Sequence, residues 1–368
     1  MLDEATEDKA MREAVSAVLQ NECTLADVRK YVTARTDLSA GLWRLAGEQG
    51  WLGIAAPEAY GGSALEFGSL AAIYQELGRH LAPIPFLQIQ LCIDALIRAG
   101  TEQLRRKWLE SLVTGSAHGA VSMVNGREGA VKLTRAGTSI QLSGKTLIAD
   151  DGSADLIVVF AHNSSGELCA LGVECAQAGI ELATIAAYDG TRALATVDFA
   201  GCEVPAHSIL AEGDGAVLLH DHLVDHAAVA LACDSIGGAS AIFDITVEYL
   251  KNRKQFGRPI GSFQALKHRC ATLKVGLEAS RAILAGALHE YGAASAQASA
   301  YASLTKFHAC DTYLAVSADS VQLHGGIGFT WEGPCHLFLK RAKLNQALFG
   351  NCAWHQDRAM RLLLSQAV

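Results

Sequence analysis

The hydrophobic period changes twice along this chain, and that change constrains the fold more than any single motif does. In the first part, apolar residues recur three and four apart. They are Leu42, Leu45 and Trp51 in LSAGLWRLAGEQGWLG, then Leu70, Ile73, Leu77 and Leu81 in SLAAIYQELGRHLA. EQLRRKWLESLVTG repeats the spacing and ends on Gly115. This is the pattern of helices with one buried face, and a closing glycine is a C-cap signal. Pro57 and Gly61-Gly62 mark a loop between the first two stretches. After residue 115 the texture shortens to AVSMV, SIQLSG, DLIVVFA, LCALGVE and ALATVDFA, separated by Gly, Asn, Asp and Ser. Such runs predict strands of a compact antiparallel domain. After residue 215 the helical period returns in four long stretches, 229–256, 263–291, 299–325 and 336–366, which predict an antiparallel bundle. The expected class is α+β. It comprises an N-terminal all-α domain (1–115), a middle antiparallel β-barrel (116–215) and a C-terminal four-helix bundle (216–368).

Composition removes several functions. The chain has 30 Lys and Arg against 38 Asp and Glu, a net charge of −8. That balance argues against a nucleic-acid or membrane-surface binder. No run reaches the roughly eighteen uninterrupted apolar residues of a membrane span. The opening MLDEATEDKAMREA lacks the basic-then-apolar pattern of an export signal. The 10 cysteines form no CxxC pair, which fits reduced thiols in a cytoplasm better than a disulfide frame or a zinc site.

Inside this acidic chain lies a basic island. KNRKQFGRPIGSFQALKHRCATLK (251–274) holds Lys251, Arg253, Lys254, Arg258, Lys267, Arg269 and Lys274 with no Asp or Glu. One helix is expected to end near Phe256 and the next to begin near Ser262, a possible N-cap. Arginines beside helix ends suit a pyrophosphate, and a solvated basic turn is the plainer alternative. QLHGGIGFTWEG (322–333) carries a glycine pair that lets another backbone or a flat ligand approach closely.

Taken together these segments resemble the acyl-CoA dehydrogenase family of flavoproteins. RKQFGRPIGSFQALKHRCA resembles the family's RxxFGxxIxxFQxxxxxLA signature, and QLHGGIGFTWEGPCHLFLKRAK its QxxGGxGyxxexpxxxxxRDAK signature. GWLGIAAPEAYGG, ELGRHLAPIPF, LSGKTLIADDGSADLIVV and VDFAGCEVPAHSIL resemble other segments, in the same order. The resemblance implies FAD between two subunits. Arg253 would meet the pyrophosphate, and Gln255, Phe256, Gln264, Gln322, Gly325 and Gly326 would complete the adenine and pyrophosphate half of the site.

The other half departs from the family pattern. The TEPxAGSD stretch becomes SMVNGREGAV (122–131), and GxKxWITN becomes GKTLIADD, with Leu147 where an aromatic shields the flavin. The reaction needs a carboxylate within about 3 Å of the α-proton of a CoA thioester. The family places this Glu in YEGT or, in a minority, on the long helix before RxxFG. Here those positions hold Phe349 and Ala227. HDHLVDHAA (220–228) offers Asp225 as a weak substitute base. His222 and His226, four apart, have metal-ligand spacing. They read more simply as a polar helix terminus near a subunit surface, and no metal is expected.

The resemblance therefore implies a subunit without a base, in a bacterial heterotetramer with two copies of each of two unlike chains. The partner would supply the Glu and the flavin-ring site. Substrates would be bulky CoA thioesters such as those of steroid side chains, and an electron-transfer flavoprotein would be the acceptor. A homomeric dehydrogenase with a relocated base and a non-catalytic scaffold of the same fold are the alternatives. The expected location is the bacterial cytoplasm.

Overall fold

The computed structural model describes residues 6–122, 131–136, 139–150 and 152–365. The N-terminal region contains α1 (Thr6–Glu22), α2 (Leu25–Ala34), α3 (Leu38–Glu48), α4 (Phe67–Arg79), α5 (Phe86–Ala99) and α6 (Glu102–Thr114). The three periodic stretches correspond to α3, α4 and α6. Thr101 caps α6 by accepting from the Leu104 N–H at 3.3 Å, and Gly115 ends it at φ 76°. α5 escapes the periodicity because it is buried nearly all round, by Ile89, Leu91, Cys92, Ile93, Ala95 and Leu96.

The middle region contains β1 (Gly119–Val121), β2 (Val131–Ala136), β3 (Ser139–Ile148), β4 (Leu156–His162), β5 (Leu168–Glu174), β6 (Ile180–Ile185), β7 (Leu194–Pro205) and β8 (Ile209–Glu212). They form one sheet in the order β6-β7-β3-β2-β4-β5-β8, with β1 beside β4. The expected antiparallel barrel is corrected on two counts. β1 and β2 both run parallel to β4, so the sheet is mixed. Among the described residues β6 and β8 do not pair with each other, so the sheet is not closed. Alternation in sequence specifies two faces for a strand but not whether the sheet's edges meet. In β4, Ile157, Val159 and Ala161 enter the sheet's own core, and Leu156, Val158 and Phe160 join the helical core. Burial on both faces explains the unbroken apolar run LIVVFA.

The C-terminal region contains α7 (Asp214–Asn252), a hairpin of β9 (Lys254–Gln255) and β10 (Arg258–Pro259), α8 (Gln264–Gly292), α9 (Ala298–His324), α10 (Cys335–Ala347) and α11 (Cys352–Ser365). The stretch expected as one final helix is two, because Phe349 (φ 53°) and Gly350 (φ 93°) leave the helical region. The bundle thus has five helices among the described residues, not four. Ser262 does not cap α8 either. The cap position is Phe263, without a side-chain hydrogen bond, and Ser262 lies in the short turn before it.

α7 is long and apolar enough to cross a membrane by length and composition, but 83% of its most apolar window is buried within the protein. It is a core helix, packed against α4 and α9 through two glycines. A Cβ on Gly237 would lie 1.9 Å from the Gln75 carbonyl oxygen, and one on Gly238 would lie 2.5 Å from the Tyr313 ring.

Candidate functional site

Two segments predicted to share a ligand are brought to one end of the bundle. α7 ends at Asn252 and α9 at His324. Tyr249 stacks on His324 with ring centroids 4.4 Å apart and donates to its carbonyl at 3.3 Å. This places the Arg253–Arg258 hairpin beside the Gln322–Gly326 loop. Arg253, Lys254, Gln255, Phe256, Gln264, Gln322, Gly325 and Gly326 are all exposed. Among the described residues, Arg253 and Lys254 make no ion pair, so their charge is available to an anion. Phe256 is 90% exposed at φ 52°, and Phe329 and Trp331 are 76% and 57% exposed nearby in sequence to the loop. No neighbouring atom lies within 4 Å of where a Cβ would stand on Gly325 or Gly326. Free cations, exposed rings and open glycine backbone suit the pyrophosphate and adenine of FAD. Exposed rings are also what a second chain covers.

The second feature is a cavity of about 530 Å³ between β1, β4, the first turns of α7 and the α10–α11 link. Val121, Ser122, Phe160, Leu223, Val224, Phe349 and Trp354 line it. The position expected for the base is therefore in a cavity, and it holds an aromatic ring. No lining residue among those described is Asp or Glu, and His220 is the titratable one. Its Nδ1 lies 3.3 Å from Asp221 Oδ1, and its ring meets Phe160 edge-on. Of the divergent SMVNGREGAV segment, residues 123–130 lie outside the described residues.

Phe349 is fixed through its backbone. Its carbonyl accepts from His355 Nε2 at 2.9 Å, so His355 Nδ1 accepts from the Ser303 hydroxyl at 3.1 Å. The next carbonyl, of Gly350, accepts from the ammonium of Lys306, a fully buried lysine. Burial, helped by the Lys306 charge, pushes the His355 imidazole down from 6.5 to about 3. A histidine whose folded pKa is depressed stabilises the fold above its unfolded pKa. That contribution is lost as the pH falls from 6.5 toward 3. Unfolding free energy is expected to drop by about 2.5 kcal/mol between pH 7 and pH 4.5 on this account. In His355→Gln the loss over that range should shrink by the same amount. Equal slopes in urea titrations of the two proteins would show that His355 is not the titrating group.

The other base candidates are engaged elsewhere. Ala227 is buried and apolar. Asp225 is buried, with Arg358 2.5 Å from Oδ1 and the Ser299 hydroxyl 2.5 Å from Oδ2. It is not among the residues lining the cavity. His222 and His226 do more than end a polar helix near a surface. His226 is 3% exposed, and both rings reach Asp94 of α5, at 2.7 Å from His222 and 2.8 Å from His226. Burial would raise the Asp94 pKa, but these two hydrogen bonds outweigh it and hold the carboxylate well below its ordinary range.

One group of residues was not anticipated from sequence. Arg341, in KRAK, is buried and joins three parts of the chain. It lies 3.4 Å from Asp234 of α7 and 3.9 Å from Asp189. It donates to Thr191 Oγ1 at 3.0 Å and to the Ala82 carbonyl at 3.2 Å. Arg192 completes the network, at 2.8 Å from Asp234 and 2.9 Å from Asn345. The only sequence signal was an acid, Asp234, inside the apolar run VALACDSI.

Comparison with known proteins gives matches to two family models. Residues 5–116 match the family model described as acyl-CoA dehydrogenase, N-terminal domain, and residues 213–364 match acyl-CoA dehydrogenase, C-terminal domain. The chain is 33% identical over 346 residues to the acyl-CoA dehydrogenase IpdE2 of Mycolicibacterium smegmatis, covering 94% of each. Among solved structures, a chain of the ChsE4-ChsE5 complex from Mycobacterium tuberculosis superposes with a TM-score of 0.89 at 25% identity, covering 98% of each. A chain of the Tcur3481-Tcur3483 steroid ACAD superposes with a TM-score of 0.87 at 26% identity, also covering 98% of each.

Proposed function

Because this chain belongs to the acyl-CoA dehydrogenase family, we propose that it is the subunit lacking the base in a heteromeric dehydrogenase of bulky, steroid-type CoA thioesters. The observation that carries this reading is Phe349, held by His355 in a cavity whose described lining has no carboxylate. Abstraction of a weakly acidic α-proton needs a positioned base, so a partner chain supplies it. This chain contributes Arg253 toward the pyrophosphate, with Gln255, Phe256, Gln264, Gln322, Gly325 and Gly326 around the adenine half. FAD, when bound, supplies the acceptor for the hydride leaving the β-carbon. The exposed Phe256, Phe329 and Trp331 are where the partner seats. Similarity to chains from a two-protein complex and from a steroid dehydrogenase supports both the heteromer and the substrate class. Electrons pass to an electron-transfer flavoprotein in a bacterial cytoplasm.

Co-expression with a dehydrogenase-like chain that retains the Glu, followed by flavin quantification, tests the reading. One FAD per pair of unlike chains is expected, and one per chain would overturn it. In the same complex Arg253→Ala should weaken flavin retention about 10- to 100-fold, the loss of one charge-assisted contact. A second reading is a self-sufficient homomer with a relocated base. It is favoured by one observation, His220 lining the cavity beside Asp221. An isolated chain that is yellow and active, and inactive as His220→Gln, would establish it.

A further inference from the structure

We propose that Asp94, His222 and His226 form a site for one divalent transition cation of the zinc type, bridging α5 to α7. The inference is independent of how the chain takes part in dehydrogenation. The three side chains come from two separate parts of the sequence, and their ligand atoms all lie within 4.8 Å of one another. His222 and His226 are one turn apart on α7, and each directs a ring nitrogen at the same oxygen, Asp94 Oδ2, at 2.7 and 2.8 Å. The other carboxylate oxygen is held by Arg98 Nε at 2.9 Å, so Oδ2 stays aimed between the rings.

Proton counting shows what the cluster does without an ion and what an ion would change. Asp94 Oδ2 can only accept, so His222 must give it the Nε2 proton. Yet Tyr291 Oη lies 3.3 Å from that same nitrogen. With that nitrogen protonated, the Tyr291 hydroxyl oxygen can only accept a share of the same N–H, and no other hydrogen-bond partner of its hydroxyl is found among the described contacts. A cation in place of the shared protons would use every one of these groups as a ligand or an outer contact. The Nε2 lone pair of His222, the Nδ1 lone pair of His226 and Oδ2 would all face the ion. Tyr291 Oη would then stand at the fourth position, or bond a water there. His226 Nε2 would carry its proton toward Tyr74 Oη, 3.2 Å away, the kind of outer contact that fixes a ligating histidine's tautomer.

The required movement stays within about 1.5 Å, the difference between the 4.8 Å span of the ligand atoms and tetrahedral spacing. With metal–ligand bonds of about 2.0–2.1 Å, tetrahedral ligand atoms stand about 3.3 Å apart. Each nitrogen–oxygen pair must therefore open by roughly half an ångström, and the two ring nitrogens, no more than 4.8 Å apart, must close to the same spacing. Two imidazoles and one carboxylate suit Zn²⁺ or Co²⁺, whereas Mg²⁺ and Ca²⁺ prefer all-oxygen shells. The Arg98 charge opposes the ion, so binding should be weaker than in a closed structural zinc site. The ion would tie the N-terminal helices to α7 just behind Leu223 and Val224, which line the cavity.

The test uses the full chain, alone and in its complex, stripped with chelator and then dialysed against micromolar Zn²⁺. About one Zn²⁺ retained per chain, a thermal midpoint raised by a few degrees and, with Co²⁺, visible ligand-field bands are expected. His222→Gln keeps an N–H that can reach Asp94 but supplies no metal-binding nitrogen. It should fold and lose at least about tenfold in zinc affinity. His226→Gln should do the same. No retention by the natural chain, or equal retention by both variants through surface histidines, would overturn the proposal.

Discussion

Arg341→Met is expected to lower the unfolding free energy by about 3–5 kcal/mol. Arg341 is among the largest fully buried side chains. Its removal would leave two buried carboxylates, Asp189 and Asp234, sharing Arg192. It would also strip donors from the Thr191 hydroxyl and the Ala82 carbonyl. Methionine approximates the volume, so the loss would report charge and hydrogen bonding rather than a cavity. Because the network joins the loop before β7, the end of α4 and the C-terminal helices, the chain should unfold at lower urea as a unit. Arg341→Met combined with Asp234→Asn removes a negative charge with the positive one and should recover part of the loss. A single-variant shift below about 1 kcal/mol would show that Arg192 alone neutralises both acids.

That network also marks how far the sequence could be read. The long helices were legible because α8 and α9 run 29 and 27 residues without a proline, too long for any strand. β3, β4, β5 and β7 were legible from short alternating or β-branched runs. β2 was missed because VKLTRA offers just Val131 and Leu133 to the core. β6 was missed because most of its side chains are exposed. The division of the last helix was written in LFGN, where Gly350 at φ 93° ends α10's course, but the flanking apolar residues masked it. The half-site was legible as motifs, and the pairing of its two segments depends on Tyr249 and His324, which no spacing rule connects. Asp94 and Arg341 were illegible for the same reason. Their partners lie on elements far apart in sequence, and a single chain carries no record of which buried polar group meets which.

The second large effect is a failure to gain activity. If the base belongs to the partner chain, Phe349→Glu should not create a working site in this chain alone. The new carboxylate would enter the space now filled by an aromatic ring, among Phe160, Leu223 and Val224. An unpaired acid in such surroundings takes up a proton and its pKa rises, so part of the population would be neutral and unable to accept a proton. The backbone there is already in the left-handed region at φ 53°, anchored by His355 and Lys306. The loop therefore has little freedom to re-aim the substituted side chain. Stability should fall by about 1–3 kcal/mol, and the heteromeric complex should keep its activity where it still assembles. The measurement is acyl-CoA-dependent reduction of an artificial electron acceptor by the isolated variant supplied with FAD. Turnover near the background of the natural chain is expected. Appreciable turnover would mean that this chain can complete a flavin site by itself and that the carboxylate was its single missing part.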